Sequence, residues 1–390
     1  MTGSFDVAVV GAGVFGAWTS YQLCRAGASV ILIDAYGPAN SRASSGGESR
    51  IIRLGYGPDE IYTRSAMRSF TLWHELFHRL EDETADAKLE PLFHRTGVLW
   101  LAHETDKYCE ATLRSLKNVG AKFERLEYEE LLRRYPQLEL GPVTWGILES
   151  EAGALMARRA VRSLCTRARE DGVTYLEQAI VPPRSHGRLD SLMTSSGSKI
   201  SADKFVFACG PWLPKLFPSL LGNRFHITRQ EVFFFGVPAG DDRFNPARLP
   251  IWIDFNDLVY ALPNVDGRGF KIAIDAHGPS FDPDLGERVV SAQGLSDVRN
   301  YLRQRVPALA NAPVAETRVC QYENTANGDF LVDAHPEIEN LWLVGGGSGH
   351  GFKHGPAVGD YVTQLIAGNL KPEPRFSLES KKTIRERKVY

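Results

Sequence analysis

The feature that most constrains this chain is Gly11-Ala12-Gly13-Val14-Phe15-Gly16, a GxGxxG set between two apolar runs. The first run, 5–10 (FDVAVV), ends at Gly11; the second, 29–34 (SVILID), follows small and apolar residues at helical spacing over 14–26. Strand, glycine turn, helix and strand within about 30 residues make the βαβ unit of a Rossmann-like, dinucleotide-binding fold. Gly11 permits the tight turn, Gly13 lets a pyrophosphate approach the backbone, and Gly16 lets the helix lie close to the strand. The pyrophosphate then meets N–H groups at Val14 and Phe15, on the positive dipole end of the helix. Asp34 closes the second strand, where a carboxylate can accept hydrogen bonds from an adenosine ribose. A glycine turn can also be purely structural, and the motif alone does not separate NAD from FAD.

The rest of the chain alternates between strands and helices. Residues 59–80 read as a long amphipathic helix with Ile61, Ala66, Phe70, Trp73 and Leu76 on one side. Next come a strand at 96–102, helices at 127–135 and 154–171, and a strand at 204–210 followed by a helix opened by Pro211 and Trp212. Strands dominate 226–276, and a helix near 294–305, a strand at 340–347 and a helix at 355–367 complete the order. With 390 residues, 43% of them hydrophobic, the chain exceeds one core of ordinary size. The expected fold is α/β, or α+β overall. A Rossmann-like nucleotide domain is assembled from 1–88, 150–225 and 318–385, with a discontinuous, strand-rich substrate domain from 89–149 and 226–317.

Basic and acidic residues nearly cancel, 45 against 47, so no nucleic-acid partner is expected. No apolar run reaches the length of about 18 residues that a membrane span needs. MTGSFDVAVVGAG enters the first motif without a leader, and the closing RERKVY is no Ser-Lys-Leu address, so the cytoplasm is the expected compartment. Cys24, Cys109, Cys165, Cys209 and Cys320 are scattered and odd in number, which fits neither a disulfide framework nor a zinc ribbon. With no CxxC, no HExxH and no calcium-type carboxylate run, no metal is expected.

Two further segments carry a resemblance. Gly46-Gly47-Glu48-Ser49-Arg50 lies within SSGGESRIIR (44–53), and Gly345-Gly346-Gly347-Ser348-Gly349-His350-Gly351-Phe352-Lys353 stands near the end. Together with VCQYENT (319–325) and Asp333-Ala334-His335-Pro336, they make nearly the whole chain resemble the D-amino-acid oxidase superfamily of flavoproteins. Within it, the chain is most similar to the monomeric sarcosine oxidase group, which also holds N-methyltryptophan, pipecolate and fructosyl-amino-acid oxidases. The resemblance implies FAD, held by Gly11, Gly13, Val14, Phe15, Gly16, Asp34, Ser45 and Arg50 and by Gly347, Gly349, His350, Gly351, Phe352 and Lys353. Cys320 stands where the family carries the flavin through a thioether to its 8α-methyl group; read without the family, it is a small buried hydrophobe. The glycines of 347–351 would let the backbone lie against the isoalloxazine ring, with helix N–H groups toward its N1–C2=O edge. An ordinary strand–helix turn is the plain alternative there, and His350 fits packing better than proton transfer.

Arg53 and Lys353 match the two cations that hold the substrate carboxylate in the sarcosine oxidase group. An arginine offers a planar fork and a lysine a point charge. Arg50 matches an electrostatic position beside the flavin, Lys271 matches the oxygen-activating lysine, and Tyr322 and Tyr260 match pocket aromatics. Each also has a plain reading, as a solvated charge, an exposed strand lysine or a core aromatic. Where sarcosine oxidases have a histidine four residues after the oxygen lysine, this chain has Asp275; where they have one four residues before the Arg50 position, it has Gly46. Both departures weigh against sarcosine itself. A carboxylate at 275 either meets a second positive group on the substrate or pairs with a neighbouring base.

The implied reaction is FAD-dependent oxidation of the secondary amine of an amino acid (N-methyl, cyclic or N-substituted) to an imine, with O2 reoxidising the flavin and leaving as H2O2. The resemblance implies a monomer, with a small amino-acid substrate and O2 as its partners. Within flavoenzymes the rivals are a dehydrogenase passing electrons to a carrier, which Lys271 argues against, and an oxidase of a specialised metabolite. An NAD-dependent dehydrogenase leaves Cys320 and the 348–353 segment unexplained, and a non-catalytic flavin-binding protein leaves the carboxylate clamp unexplained.

Overall fold

The computed structural model describes residues 4–83, 90–184 and 186–382. Residues 7–10, within the strand Phe5–Val10, and 30–33, within Val30–Asp34, are continuous apolar runs because both faces of their sheet are covered by other elements. In that sheet the order is Leu331–Ala334, Leu341–Gly345, Lys199–Phe207, Phe5–Val10, Val30–Asp34 and Thr174–Glu177. Its pairings are parallel apart from the Leu331–Ala334 edge, and Ser191–Met193 adds to Lys199–Phe207 in antiparallel fashion. The helix Val14–Arg25 is buried nearly all round, Thr19 and Ser20 included, because it packs between this sheet and two further helices, Ala157–Glu170 and Gly355–Ile366. The α/β class and the Rossmann-like unit expected from the motif are therefore present.

The second sheet has eight strands in the order Val314–Thr325, Phe225–Phe235, Phe270–Ile274, Val259–Leu262, Ile251–Asp254, Val98–His103, Val143–Glu149 and Glu124–Glu127. Alternation along Phe270–Ile274 sends Phe270 and Ile272 into a core with Val298 and Leu302 of the helix Ala292–Arg305. Lys271, Ala273 and Asp275 share the opposite face, which borders the site described below. A third, small sheet joins Arg50–Ile52, Gly153–Leu155 and Phe93–His94.

Several boundaries differ from expectation. Gly153–Leu155 is a strand, so the helix expected from 154 begins at Ala157, after the pairing with Arg50–Ile52 ends. The boundary expected at 318 falls inside Val314–Thr325, which pairs along its length with Phe225–Phe235. Cys320 and Tyr322 thus belong to the edge of the second sheet. The long helix spans Glu60–Glu83. Met1–Gly3 and the RERKVY end lie outside the described residues. Among the described residues, no helix is long and apolar enough to cross a membrane, and no cluster of His, Cys, Asp and Glu is arranged to hold a metal.

Candidate active site

The glycine turn, the 44–53 segment and the 345–353 segment meet around one cavity of about 280 Å³. Gly11, Gly13, Val14, Phe15, Asp34, Ser45 and Arg50 line it, and so do Cys320, Gly347, Gly349, Gly351 and Phe352. Gly11 has φ +103°, and a Cβ there would come 2.3 Å from the Ala208 carbonyl oxygen, so the turn admits no side chain. A Cβ on Gly13 would meet only Ser45 Oγ, at 3.5 Å, which leaves that backbone open to a ligand. Gly16 carries no lining atom; its place is against Gly11, whose carbonyl oxygen would lie 1.8 Å from an added Cβ.

Asp34 accepts the N–H of Ala12 at 2.7 Å and of Tyr36 at 2.9 Å, and Ser45 Oγ accepts that of Val14 at 3.0 Å. Burial raises the Asp34 carboxyl above its usual range. Glu323 also lies in the wall, and its Oε1 is buried without a hydrogen-bond partner. Burial pushes its carboxyl up to about 8 against the pull of the Gly346 and Gly347 N–H groups. An open glycine backbone and an unsatisfied buried oxygen in one wall fit a polar dinucleotide such as FAD. Sequence reading missed Glu323, although an acid inside the otherwise uncharged run VCQYENT was a signal.

A smaller cavity of about 90 Å³ adjoins the first, sharing Arg50, Cys320, Tyr322, Gly349 and Phe352. Arg53, Lys353, Lys271, Asp275 and Tyr260 complete its wall, so the structure gathers every residue expected at the substrate. Arg53 is 4% exposed; its guanidinium lies 4.5 Å from the Tyr56 ring centre and 4.6 Å from that of Trp100, and it donates to the Gly55 carbonyl. Glu149, another residue the sequence did not single out, holds this loop. It accepts the N–H of Leu54 at 2.6 Å, of Gly55 at 3.1 Å and of the Trp100 indole at 2.8 Å. An acid closing an apolar strand was the available hint.

Lys353 Nζ donates to Tyr56 Oη at 2.7 Å and to the His350 carbonyl at 2.9 Å. Burial first, and then Arg53, hold its ammonium well below the usual lysine range. Lys271 Nζ donates to the Ser49 carbonyl at 2.9 Å and to Ser49 Oγ at 3.2 Å; burial and Arg50 bring it down to about 7. Tyr322 donates to Asp275 Oδ1 at 2.5 Å, and the side chain of Tyr260 bonds to that of Tyr322. Burial raises both phenols. Arg50 Nη2 reaches Cys320 Sγ at 3.3 Å and the Ser44 carbonyl at 2.6 Å, fixing the sulfur at the seam of the two cavities. His350 borders the small cavity, but its ring is tied to Tyr56 and Gly328 and stacks on Phe330.

Burial raises the Asp275 carboxyl from 3.8 to about 6, overcoming the Tyr322 hydrogen bond and the charges of Arg53 and Lys353. A group held above its unfolded value favours the folded state while protonated; that advantage is complete below 3.8 and lost as pH rises through about 6. Asn cannot titrate, so Asp275→Asn is expected to raise stability by about 3 kcal/mol at pH 7.5 relative to its effect at pH 3.5. Urea unfolding at the two pH values checks this. An effect independent of pH would mean that Asp275 is not a desolvated acid.

Residues 6–365 match the FAD dependent oxidoreductase (DAO) family. The chain belongs to this family. The oxidoreductase is 31% identical to the monomeric sarcosine oxidase of Bacillus sp. (strain B-0618), over 94% of this chain and 93% of that one. It is 28% identical to the N-methyl-L-tryptophan oxidase of Salmonella agona (strain SL483), over 96% and 97%. Among solved structures, L-proline dehydrogenase from P. horikoshii superposes with a TM-score of 0.80 at 20% identity, covering 99% of this chain and 100% of that one. The fructosamine oxidase of Aspergillus fumigatus (Amadoriase II) superposes at 0.77 with 22% identity, covering 97% and 90%. The two superpositions bear on the fold of this oxidoreductase.

Proposed function

We propose that this oxidoreductase converts the secondary amine of an amino acid to an imine and passes the electrons to O2, releasing H2O2. The observation that carries the reading is the convergence of two buried cations, Arg53 and Lys353, on one small cavity that opens onto the dinucleotide cavity. Two basic groups facing each other in a buried cavity oppose each other's charge, and an anion between them lets both be charged. A carboxylate is the anion that matches an arginine fork with a lysine beside it. The names of the sarcosine and N-methyl-L-tryptophan oxidases support a carboxylate next to a secondary amine.

Bound FAD supplies the two-electron acceptor. The Gly11–Gly16 turn, Asp34, Ser45, Glu323 and the 347–352 segment would hold it, and Cys320 would carry it covalently. Arg53 and Lys353 bind and orient the carboxylate, and Tyr260, Tyr322 and Asp275 shape the wall. Lys271, on the neighbouring strand, keeps a proton available where oxygen becomes negatively charged. The parallel sheet and its helices form the cofactor domain, and the eight-stranded sheet forms the substrate domain. By the same reading, the enzyme acts as a monomer, as the names of its Bacillus relatives say of those proteins, in a compartment such as the cytoplasm where Cys24, Cys109, Cys165 and Cys209 stay reduced.

The test is peroxide release in air from a panel of N-methyl, cyclic and larger N-substituted amino acids. Peroxide with one group establishes the oxidase and its class; a yellow protein that reduces with substrate yet yields none points to another electron acceptor. Attachment has its own test. Acid-precipitated wild-type protein is expected to keep its flavin colour, and Cys320→Ser to lose it to the supernatant. Equal release from both excludes Cys320.

A further inference from the structure

Behind Lys353 runs a line of polar groups that the reaction above leaves unused. Lys353 Nζ donates to Tyr56 Oη at 2.7 Å, Tyr56 Oη lies 2.7 Å from His354 Nε2, and His354 Nδ1 lies 2.9 Å from Ser65 Oγ. Lys353, Tyr56 and His354 are buried, whereas Ser65, on the helix Glu60–Glu83, is partly open to solvent. The line therefore joins the small cavity to the surface by three hydrogen bonds.

Its chemistry permits passage. Tyr56 and Ser65 are hydroxyls that both donate and accept, and His354 has one such hydroxyl at each ring nitrogen. The branch at His350 does not compete. His350 Nδ1 is 3.3 Å from Tyr56 Oη, and its Nε2 faces the Gly328 carbonyl at 3.2 Å, an acceptor with no proton to pass on.

The small cavity also creates a need for such a path. Lys353 faces the Arg53 guanidinium, with Asp275 and Glu149 as the acids within reach. Glu149 already accepts three N–H groups and Asp275 accepts Tyr322. The rings of Tyr62, Phe330 and His350 enclose His354, and Lys353 and Arg53 oppose a charge on it. With the cavity empty, Lys353 is driven toward its neutral amine; a docked carboxylate reverses that preference, so a proton must enter.

We propose that Lys353, Tyr56, His354 and Ser65 form a proton path that charges Lys353 as the substrate carboxylate docks and discharges it as the product leaves. The proposal rests on the carboxylate-clamp reading above. In the inward direction, a hydronium gives a proton to Ser65 Oγ as the Ser65 hydrogen moves to His354 Nδ1. The His354 Nε2 hydrogen moves to Tyr56 Oη, and the Tyr56 hydrogen joins the lone pair of Lys353 Nζ. Each O–H or N–H bond that forms matches one that breaks, and no electron moves.

Propionate tests this because it offers the carboxylate without an oxidisable amine. It would be mixed with the flavin-loaded enzyme at pH 8 in dilute buffer, with binding followed by flavin absorbance and proton uptake by an indicator dye in stopped flow. The wild type is expected to take up close to one proton per site. His354→Gln and Ser65→Ala are expected to bind propionate within a few fold of wild type while taking up the proton at least tenfold more slowly. Ser65→Ala, at a partly exposed position, keeps the test open if the buried histidine variant does not fold. Uptake at wild-type speed in the variants overturns the path, and binding without uptake overturns the charging of Lys353. Failure of propionate to bind at all overturns the clamp reading together with the path.

Discussion

Arg53→Met is expected to lower kcat/KM for a secondary amino acid by about 10³-fold, or about 4 kcal/mol, while leaving flavin binding intact. The size follows from burial. Arg53 is shielded on both flanks, by the Tyr56 and Trp100 rings, so its charge is little screened by water. Removing one partner of a buried charge pair leaves the other desolvated and unpaired, which costs about 2–5 kcal/mol. Arg53→Lys keeps the charge but loses the fork, and is expected to fall between wild type and Met. The control is an amine of the same shape without the carboxylate, turned over slowly by the wild type. On that compound Arg53→Met should cost less than about threefold, because no anion awaits a partner. Equal losses on both compounds would show that Arg53 only supports the fold of its loop.

The second large effect belongs to the oxygen step. Lys271→Met is expected to slow reoxidation of the reduced enzyme by O2 about 10²–10³-fold, the usual cost of removing one group aimed at developing negative charge. Anaerobic reduction by substrate should change by only a few fold, since the proposed reading gives the binding to Arg53 and Lys353. Burial and Arg50 bring Lys271 down to about 7, so its charged form is present below that pH and lost above it. Reoxidation in the wild type should therefore fall as pH rises through about 7, and that limb should be absent in Lys271→Met. Stopped-flow measurement of the two half-reactions separates them. If substrate reduction falls instead, Lys271 acts on the substrate side; if neither changes, it is a structural lysine on Ser49.

Much of the nucleotide site was legible in the sequence because it is encoded over short distances. The GxGxxG turn, its flanking strands and Asp34 lie within 30 residues, where sterics and hydrogen-bond spacing specify the βαβ unit regardless of the remainder. The period of two along GFKIAID likewise places Lys271, Ala273 and Asp275 on one face. What decided the smaller cavity was tertiary. Arg53 and Lys353 lie 300 positions apart in the sequence, and nothing local brings them together. They meet because the three-stranded sheet holds the strand next to Arg53, while the helix from Gly355 packs on the one from Val14 and brings Lys353 back.

The same limit explains the misses. Glu149 and Glu323 read as ordinary strand acids until burial removes them from water and the loops around them supply N–H groups. Tyr56 and His354 carry no motif, and their link to Ser65 exists only because the long helix lies against the 352–354 turn. The boundary expected at 318 lies inside Val314–Thr325, which carries no break in pattern: one strand pairs with the eight-stranded sheet while its Cys320 and Tyr322 side chains reach the larger cavity. Sequence alone determined that this chain has a dinucleotide-binding turn and where its backbone makes it, since a βαβ unit depends on neighbours along the chain. Only the tertiary structure decided which charges are dry, which are paired and how a proton reaches them, since burial and long-range contact do not exist until the two sheets close on each other.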